Sequence, residues 1–206
     1  LAAENVQAIF KAYDVRGTVP DQLDEDLARA TGNAFVAELG VDEVVVGHDM
    51  RPSSPALAQA FAEGATQAGA SVTMIGLAST DQLYFASGSL ARAGAMFTAS
   101  HNPAQYNGIK MCRAHAAPVG METGLAGIRD RVIAGSEQTA EVPGTISERD
   151  VLDDYAAHLL ALKEETVLRG ALSTAGRQRV LRHYTHEQIA RQTVEVYCEL
   201  TGRDLL

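Results

Sequence analysis

Short apolar runs alternate with longer stretches of helical periodicity through the first two thirds of this 206-residue chain. No other feature restricts the fold as much. Residues 22–39 place Leu23, Leu27, Ala30, Ala34, Phe35 and Leu39 near helical spacing, with Gly40 as the expected C-cap. Val44-Val45-Val46-Gly47 reads as a buried strand, and a loop follows over residues 48–53. Ser54-Pro55 opens a helix through Ala68, with proline in the first turn where its missing N–H costs nothing. Strands are expected at residues 71–75, 93–97 and 107–112, and helices at 81–87, 122–133 and 148–162, with a linker over 135–146. Strands and helices in this order predict an α/β fold: a mixed, largely parallel sheet flanked by helices, followed by a helical C-terminal tail. In such sheets the reactive loops gather at the carboxyl ends of the strands, which places residues 48–53 and 98–103 side by side.

Composition excludes some functions. A net charge of −9 argues against a general nucleic-acid or anionic-membrane surface, and no window has the uninterrupted apolar length of a membrane-spanning helix. Cys112 and Cys198 lie far apart and form no metal-spaced cluster, so reduced thiols in a cytoplasmic protein are expected. The N-terminus has neither the basic start nor the apolar block of a signal peptide; it begins with Leu1, as a fragment or processed product would. His48 is expected to be structural, and His115, His158, His183 and His186 form no ligand set.

Thr98-Ala99-Ser100-His101-Asn102-Pro103 carries the chemistry. An apolar strand delivers a serine to its end, where the backbone breaks into a polar turn stiffened by proline. By itself such a serine could equally cap a turn. Three further motifs accompany it: Lys11-Ala12-Tyr13-Asp14-Val15-Arg16-Gly17, Gly47-His48-Asp49-Met50-Arg51-Pro52-Ser53 and Asn107-Gly108-Ile109-Lys110. In this order and spacing the four resemble the N-terminal domain of the α-D-phosphohexomutases, the phosphomannomutase/phosphoglucomutase group. The likeness runs from about Val6 to about Leu162.

The resemblance implies that Ser100 carries a phosphoryl group exchanged with a hexose phosphate or hexose bisphosphate. It implies Arg16 beside the reacting phosphate, Lys110 as general acid or base, and His101 in loop support or proton transfer. It also implies Tyr13 and Lys11 at the substrate and Asn102 holding the turn. Mg²⁺ is implied too, bound partly by the phosphoserine oxygen at Ser100. The family's Asp-Gly-Asp-Gly-Asp metal loop, however, has no counterpart here. The cluster Asp21, Asp24, Glu25 and Asp26 is better read as the acidic start of a helix. Alternatives stand beside several assignments: Tyr13 as a core aromatic, Arg16 as a partner of Asp14 or Asp49, Lys110 at a solvated strand edge. Asp49 and Arg51 are expected to brace their loop, with Arg51 and Lys11 adding positive charge nearby.

The expected organisation is a phosphohexomutase-like domain over residues 6–135, a linker and helix over 136–166, and a helical tail over 167–206. From about Val167 to Leu200 the chain resembles the closing helices of a GT-B glycosyltransferase, with Thr185 capping a helix that turns Ile189, Thr193, Val196 and Leu200 inward. The functional expectation is a phosphohexomutase N-terminal domain, incomplete and inactive alone. The alternatives are a phosphosugar-binding module without catalysis, or an inactive fusion. Such a domain exposes faces that other domains normally cover, so self-association is expected.

Overall fold

A computed structural model of the chain describes residues 2–183 and residue 194. Two compact units divide it, the first ending at Tyr155 and the second beginning at Ala156. The first unit contains α1 (Ala3–Ile9), β1 (Val15–Thr18), α2 (Glu25–Leu39), β2 (Glu43–His48), α3 (Ser54–Gln67), β3 (Ser71–Leu77) and α4 (Thr80–Leu90). It continues with β4 (Ala93–Phe97), β5 (Tyr106–Arg113), β6 (Ala117–Pro118), α5 (Leu125–Ala134) and β7 (Ile146–Glu148). Helix α6 (Leu152–Glu164) begins in the first unit, and α7 (Thr166–His183) belongs to the second.

The sheet runs β1-β5-β4-β2-β3-β7, with β6 attached to β5. Strands β4, β2, β3 and β7 run parallel to one another; β5 reverses direction and pairs antiparallel with β4, β1 and β6. The sheet is therefore mixed, with a parallel centre. Every residue of β4 is buried because both of its faces are covered, which is why it reads as an unbroken apolar run. Ala93, Ala95 and Phe97 enter the larger core with Val44 and Val46. Met96 joins Val45, Leu83 and Ala86 in a smaller cluster that includes residues of α4. Phe35, Phe61 and Phe97 form a ring-to-ring chain with centroids 5.6 and 5.7 Å apart. It ties α2 and α3 to the last residue of β4, so the root of the Ser100 turn is anchored in the core.

Several boundaries differ from expectation for identifiable reasons. Helix α2 starts at Glu25 because the Asp24 side chain accepts from the Leu27 N–H at 2.8 Å, while Gln22 instead accepts from the Thr18 amide and hydroxyl. Gly40 closes α2 in the left-handed conformation, as anticipated. Gly124, at φ 130°, separates a short 3₁₀ turn at Met121–Thr123 from α5, so the helix begins later than Glu122. The junction between the expected linker and the expected helix, Ile146–Glu148, is instead β7, which joins the sheet beside β3. Buried Asn33 holds the approach to it, donating to the Gln138 carbonyl at 2.7 Å and accepting its N–H at 2.8 Å. Helix α6 consequently starts at Leu152 rather than Glu148. Cys112 is a buried free thiol. Cys198 and the expected tail helix with Thr185, Ile189, Thr193, Val196 and Leu200 lie outside the described residues, as does His186.

Helices α2 and α3 cross at unusually close range. A Cβ on Gly32 would meet the Phe61 carbonyl oxygen at 2.0 Å, and one on Gly64 would meet the Arg29 carbonyl oxygen at 1.9 Å. Both obstacles are backbone, which cannot rotate aside. Gly64→Ala is expected to lower stability by about 3 kcal/mol or more, at the upper end of overpacking costs, read as a lower urea midpoint. An unfolding free energy within about 0.5 kcal/mol of wild type, the range of surface substitutions, would contradict this helix contact.

Candidate active site

Strands β2 and β4 lie side by side and end together, with His48 opposite Phe97. Their following loops therefore meet at one edge of the sheet, as the sequence pattern predicts. The Asp49 N–H donates to the Phe97 carbonyl at 2.9 Å, and the Thr98 N–H donates to the Gly108 carbonyl at 3.0 Å. Beyond Thr98 the chain turns. The Asn102 N–H returns to the Ala99 carbonyl at 3.0 Å, and Tyr106 N–H reaches the Pro103 carbonyl at 3.0 Å. Ser100 sits in this turn, exposed, at φ 53°. A non-glycine residue in the left-handed region is strained by roughly 1–2 kcal/mol and persists only where its surroundings hold it.

Those surroundings are Asp49 and Arg51. The Arg51 guanidinium donates through Nε to Asp49 Oδ2 at 3.2 Å. Through Nη1 it donates to the Pro103 and Tyr106 carbonyls, each at 2.9 Å. Through Nη2 it donates to the carbonyls of Ser100 at 3.0 Å and Asn102 at 2.8 Å. Asp49 Oδ1 accepts from the Arg51 N–H at 3.0 Å and the Ser54 hydroxyl at 2.6 Å. Thr98 Oγ1 accepts from the Ser100 N–H at 3.0 Å. Burial pushes the Asp49 carboxyl up. Ser54, the Arg51 amide, Thr98 and the Arg51 charge outweigh that and hold it below the usual carboxylate range. The bracing role expected of Asp49 and Arg51 thus has a full set of partners.

Two residues of the Asn107–Lys110 motif, to which the sequence assigned no individual role, complete the support. Asn107 is fully buried; its Nδ2 donates to the Ser53 and Ser54 hydroxyls at 2.9 Å, and its Oδ1 accepts from the Gly108 N–H at 2.8 Å. It locks the β2–α3 loop to the first residues of β5. Gly108 lies between Arg16 of β1 and the Thr98 backbone, where a Cβ would meet the Val15 carbonyl at 2.4 Å and the Thr98 carbonyl at 3.0 Å. Only glycine lets the strands close there. An Asn-Gly pair opening a strand hints at such a join, but its partners are more than 50 residues away.

The cations are organised by Asp14. Its Oδ2 pairs with Arg16 Nη2 and with Lys110 Nζ, the latter at 3.5 Å. One carboxylate between two cations leaves a net positive charge of one. The Nε of Arg16 is buried and has no hydrogen-bond partner. The row Thr98–Gly108–Arg16 spans two strand spacings, about 10 Å, so Arg16 belongs to the same stretch of sheet as the root of the Ser100 turn. Arg16 does pair with Asp14, one of its two alternatives, and not with Asp49. Lys110 stands on β5 opposite Met96 of β4, one residue beyond the β1 register, with its side chain partly exposed and paired to Asp14. Tyr13 is 77% exposed, so it is not a core aromatic. It borders a cavity of about 460 Å³ with Pro118, Gly120 and Met121. Lys11 is exposed, and its Nζ donates to the Ala8 carbonyl. His101 is exposed in the Ser100 turn, and Asn102 contributes backbone N–H and carbonyl to the turn.

The sequence model of "Phosphoglucomutase/phosphomannomutase, alpha/beta/alpha domain I" matches residues 7–139. The chain belongs to this family. "Phosphohexose mutases" of Xanthomonas campestris pv. campestris are 45% identical over 161 residues, covering 78% of this chain and 36% of the relative. A phosphomannomutase of Escherichia coli is 40% identical over 156 residues, covering 73% of this chain and 34% of the relative. Among solved structures, a phosphoglucomutase/phosphomannomutase family protein from Burkholderia thailandensis superposes with a TM-score of 0.66 at 37% identity, covering 72% of this chain and 34% of that one. The chain spans about a third of the length of these relatives.

Enzymes of this family generally depend on Mg²⁺, which demands near-octahedral oxygen ligands. The described residues do not fit it. They contain no group of three His, Cys, Asp or Glu side chains able to hold a metal. The carboxylates placed by the motifs are engaged, Asp14 by Arg16 and Lys110, Asp49 by Arg51 and Ser54.

The depressed Asp49 carboxyl gives the turn an acid dependence. Its stabilising contribution is complete above the unfolded value of about 3.9 and is lost as pH falls through its lower folded value. Wild type is therefore expected to lose more unfolding free energy between pH 5 and pH 2 than Asp49→Asn, measured by urea titrations across that range. Parallel losses in the two proteins would contradict the assignment.

Proposed function

We propose that this chain is the phosphoserine-bearing domain of a phosphohexomutase, with Ser100 as the phosphoryl carrier. The observation that carries the reading is the position of Ser100. It is exposed beyond the carboxyl end of β4, left-handed, and held by its backbone so that its hydroxyl is free for chemistry. In the reaction the Ser100 Oγ attacks a phosphorus of a hexose bisphosphate. An Oγ–P bond forms, the P–O bond to the sugar breaks, and the proton leaving Ser100 is balanced by one taken up by the sugar oxygen. The reverse step returns the group to a hexose monophosphate at its other end.

Such a transfer has little covalent chemistry to assist and depends on positioning and charge. Arg16, with its unpartnered buried Nε and its Nη2 on Asp14, is assigned to the transferring phosphate. Lys110 is assigned to proton transfer, with His101 as a second candidate in the turn itself. Tyr13, with its exposed ring beside a cavity, and Lys11 are assigned to the sugar phosphate, and Asn102 to the turn. Mg²⁺, if used, draws its carboxylates from beyond the described residues, with only the phosphorylated Ser100 contributed here. Steady turnover is proposed only for a protein of the relatives' full length. The cytoplasm is the proposed compartment; no described helix is long and apolar enough to cross a membrane. Self-association through faces covered in longer relatives belongs to the same proposal. Residues from Val167 onward lie beyond the matched 7–139; their resemblance to a GT-B glycosyltransferase tail assigns them no catalytic group.

Incubation with hexose 1,6-bisphosphate, followed by intact-mass and peptide analysis, tests the carrier role. One phosphoryl group on the peptide containing Ser100, absent from Ser100→Ala, is the expected result. Unlabelled wild type, or label retained by Ser100→Ala, overturns it. Hexose phosphate binding without label would instead identify a binding module.

A further inference from the structure

The phosphohexomutase reading leaves the role of Arg51 open. A cation this close to the Ser100 turn has two possible functions: gripping the phosphate, or shaping the backbone. Its donors decide between them. A guanidinium has five N–H groups and no acceptor. Nε spends its one on Asp49, Nη1 its two on Pro103 and Tyr106, and Nη2 its two on Ser100 and Asn102. None remains for a phosphate oxygen. The side chain is only 11% exposed, and its Asp49 partner offsets its charge. The four carbonyls it holds belong to residues 100–106, the segment that must keep Ser100 at φ 53°.

We propose that Arg51 is a positioning residue for phosphoryl transfer: it fixes the Ser100 turn from behind, with every guanidinium N–H committed, and takes no part in binding phosphate. The inference rests on Ser100 being the carrier. It makes a distinction that proximity and charge do not. A phosphate ligand affects how much substrate is needed; a positioning residue affects how fast the bound complex reacts. It also predicts that lysine is no substitute, because an ammonium has three donors in a geometry unlike the planar fork.

The 206-residue chain, Arg51→Lys and Arg51→Ala would be compared in two measurements. The first is the rate of Ser100 phosphorylation against hexose 1,6-bisphosphate concentration. Both variants should lose roughly 100-fold in maximal rate, the scale of an ångström-sized misplacement, with half-saturation changed less than threefold. A raised half-saturation at near-normal maximal rate, or full rescue by lysine, overturns the proposal. The second is amide hydrogen exchange, which needs no activity. Peptides spanning residues 98–106 should exchange at least tenfold faster in both variants, while β2 and β3 remain protected. Unchanged exchange in that segment overturns the proposal even if wild type accepts no phosphoryl group, and unlabelled wild type by itself counts against the carrier reading alone. Should Arg51→Ala fail to fold, Arg51→Lys carries both measurements, and Thr98→Val, which removes the hydroxyl accepting the Ser100 N–H, should raise exchange in the same peptides.

Discussion

The Arg51 guanidinium joins two chain reversals that would otherwise be independent. One follows β2 and is held through Asp49; the other follows β4 and is held through four carbonyl oxygens. A turn with carbonyls pointing into one spot is unfavourable unless a dense donor fills it, and a planar guanidinium is the side chain that does so. Asp49 is the necessary counterpart, since a mostly buried cation without a carboxylate would be costly. Ser54 and the Arg51 amide in turn satisfy Asp49, and Thr98 accepts from the Ser100 N–H, so polar groups drawn from two loops close on one another. Ser100 depends on this arrangement because its left-handed backbone is not a conformation that serine prefers.

The sheet supplies what the polar cluster cannot. Phe97 is buried against Phe61, which fixes where β4 ends, and the parallel pairing of β2 with β4 fixes where the partner loop begins. Reversal of β5 then brings Gly108 beside Thr98, and β1 beside β5 brings Arg16 and the Asp14–Lys110 pair onto the same sheet. The division of labour between cations follows. Arg51 is fully committed to backbone. Arg16 keeps an unpartnered Nε, and Lys110 shares a carboxylate that cannot neutralise both. A chain of net charge −9 thereby presents local positive charge without an extended basic surface.

Much of this was legible in the sequence wherever the signal was local. The run Ala93–Phe97 predicts a buried strand because uncovered faces do not tolerate five consecutive apolar residues. Gly40 marks the end of α2, and Pro55 the start of α3, through intrinsic backbone preferences. The motif loops were readable as neighbours because parallel strands gather their carboxyl ends. What was not legible is long-range. Helix α1 and strand β1 are too short for periodicity to declare. β7 is three residues long and needs Asn33, more than 100 positions earlier, to guide its approach. The burial of Asn107 and the steric demand at Gly108 depend on chain segments far away in sequence. Bracing by Arg51 was expected, but five committed donors could only be counted in three dimensions.

Nuclear magnetic resonance of the Arg51 side chain, in protein labelled with ¹⁵N arginine and assigned through Arg51→Lys, measures that commitment directly. Four separate Nη proton resonances and a slowly exchanging Nε–H at neutral pH are the predicted result, because each N–H is held by its own acceptor. A single averaged Nη signal with rapid solvent exchange would show a guanidinium free to rotate. That would contradict the claim that Arg51 holds the Ser100 turn.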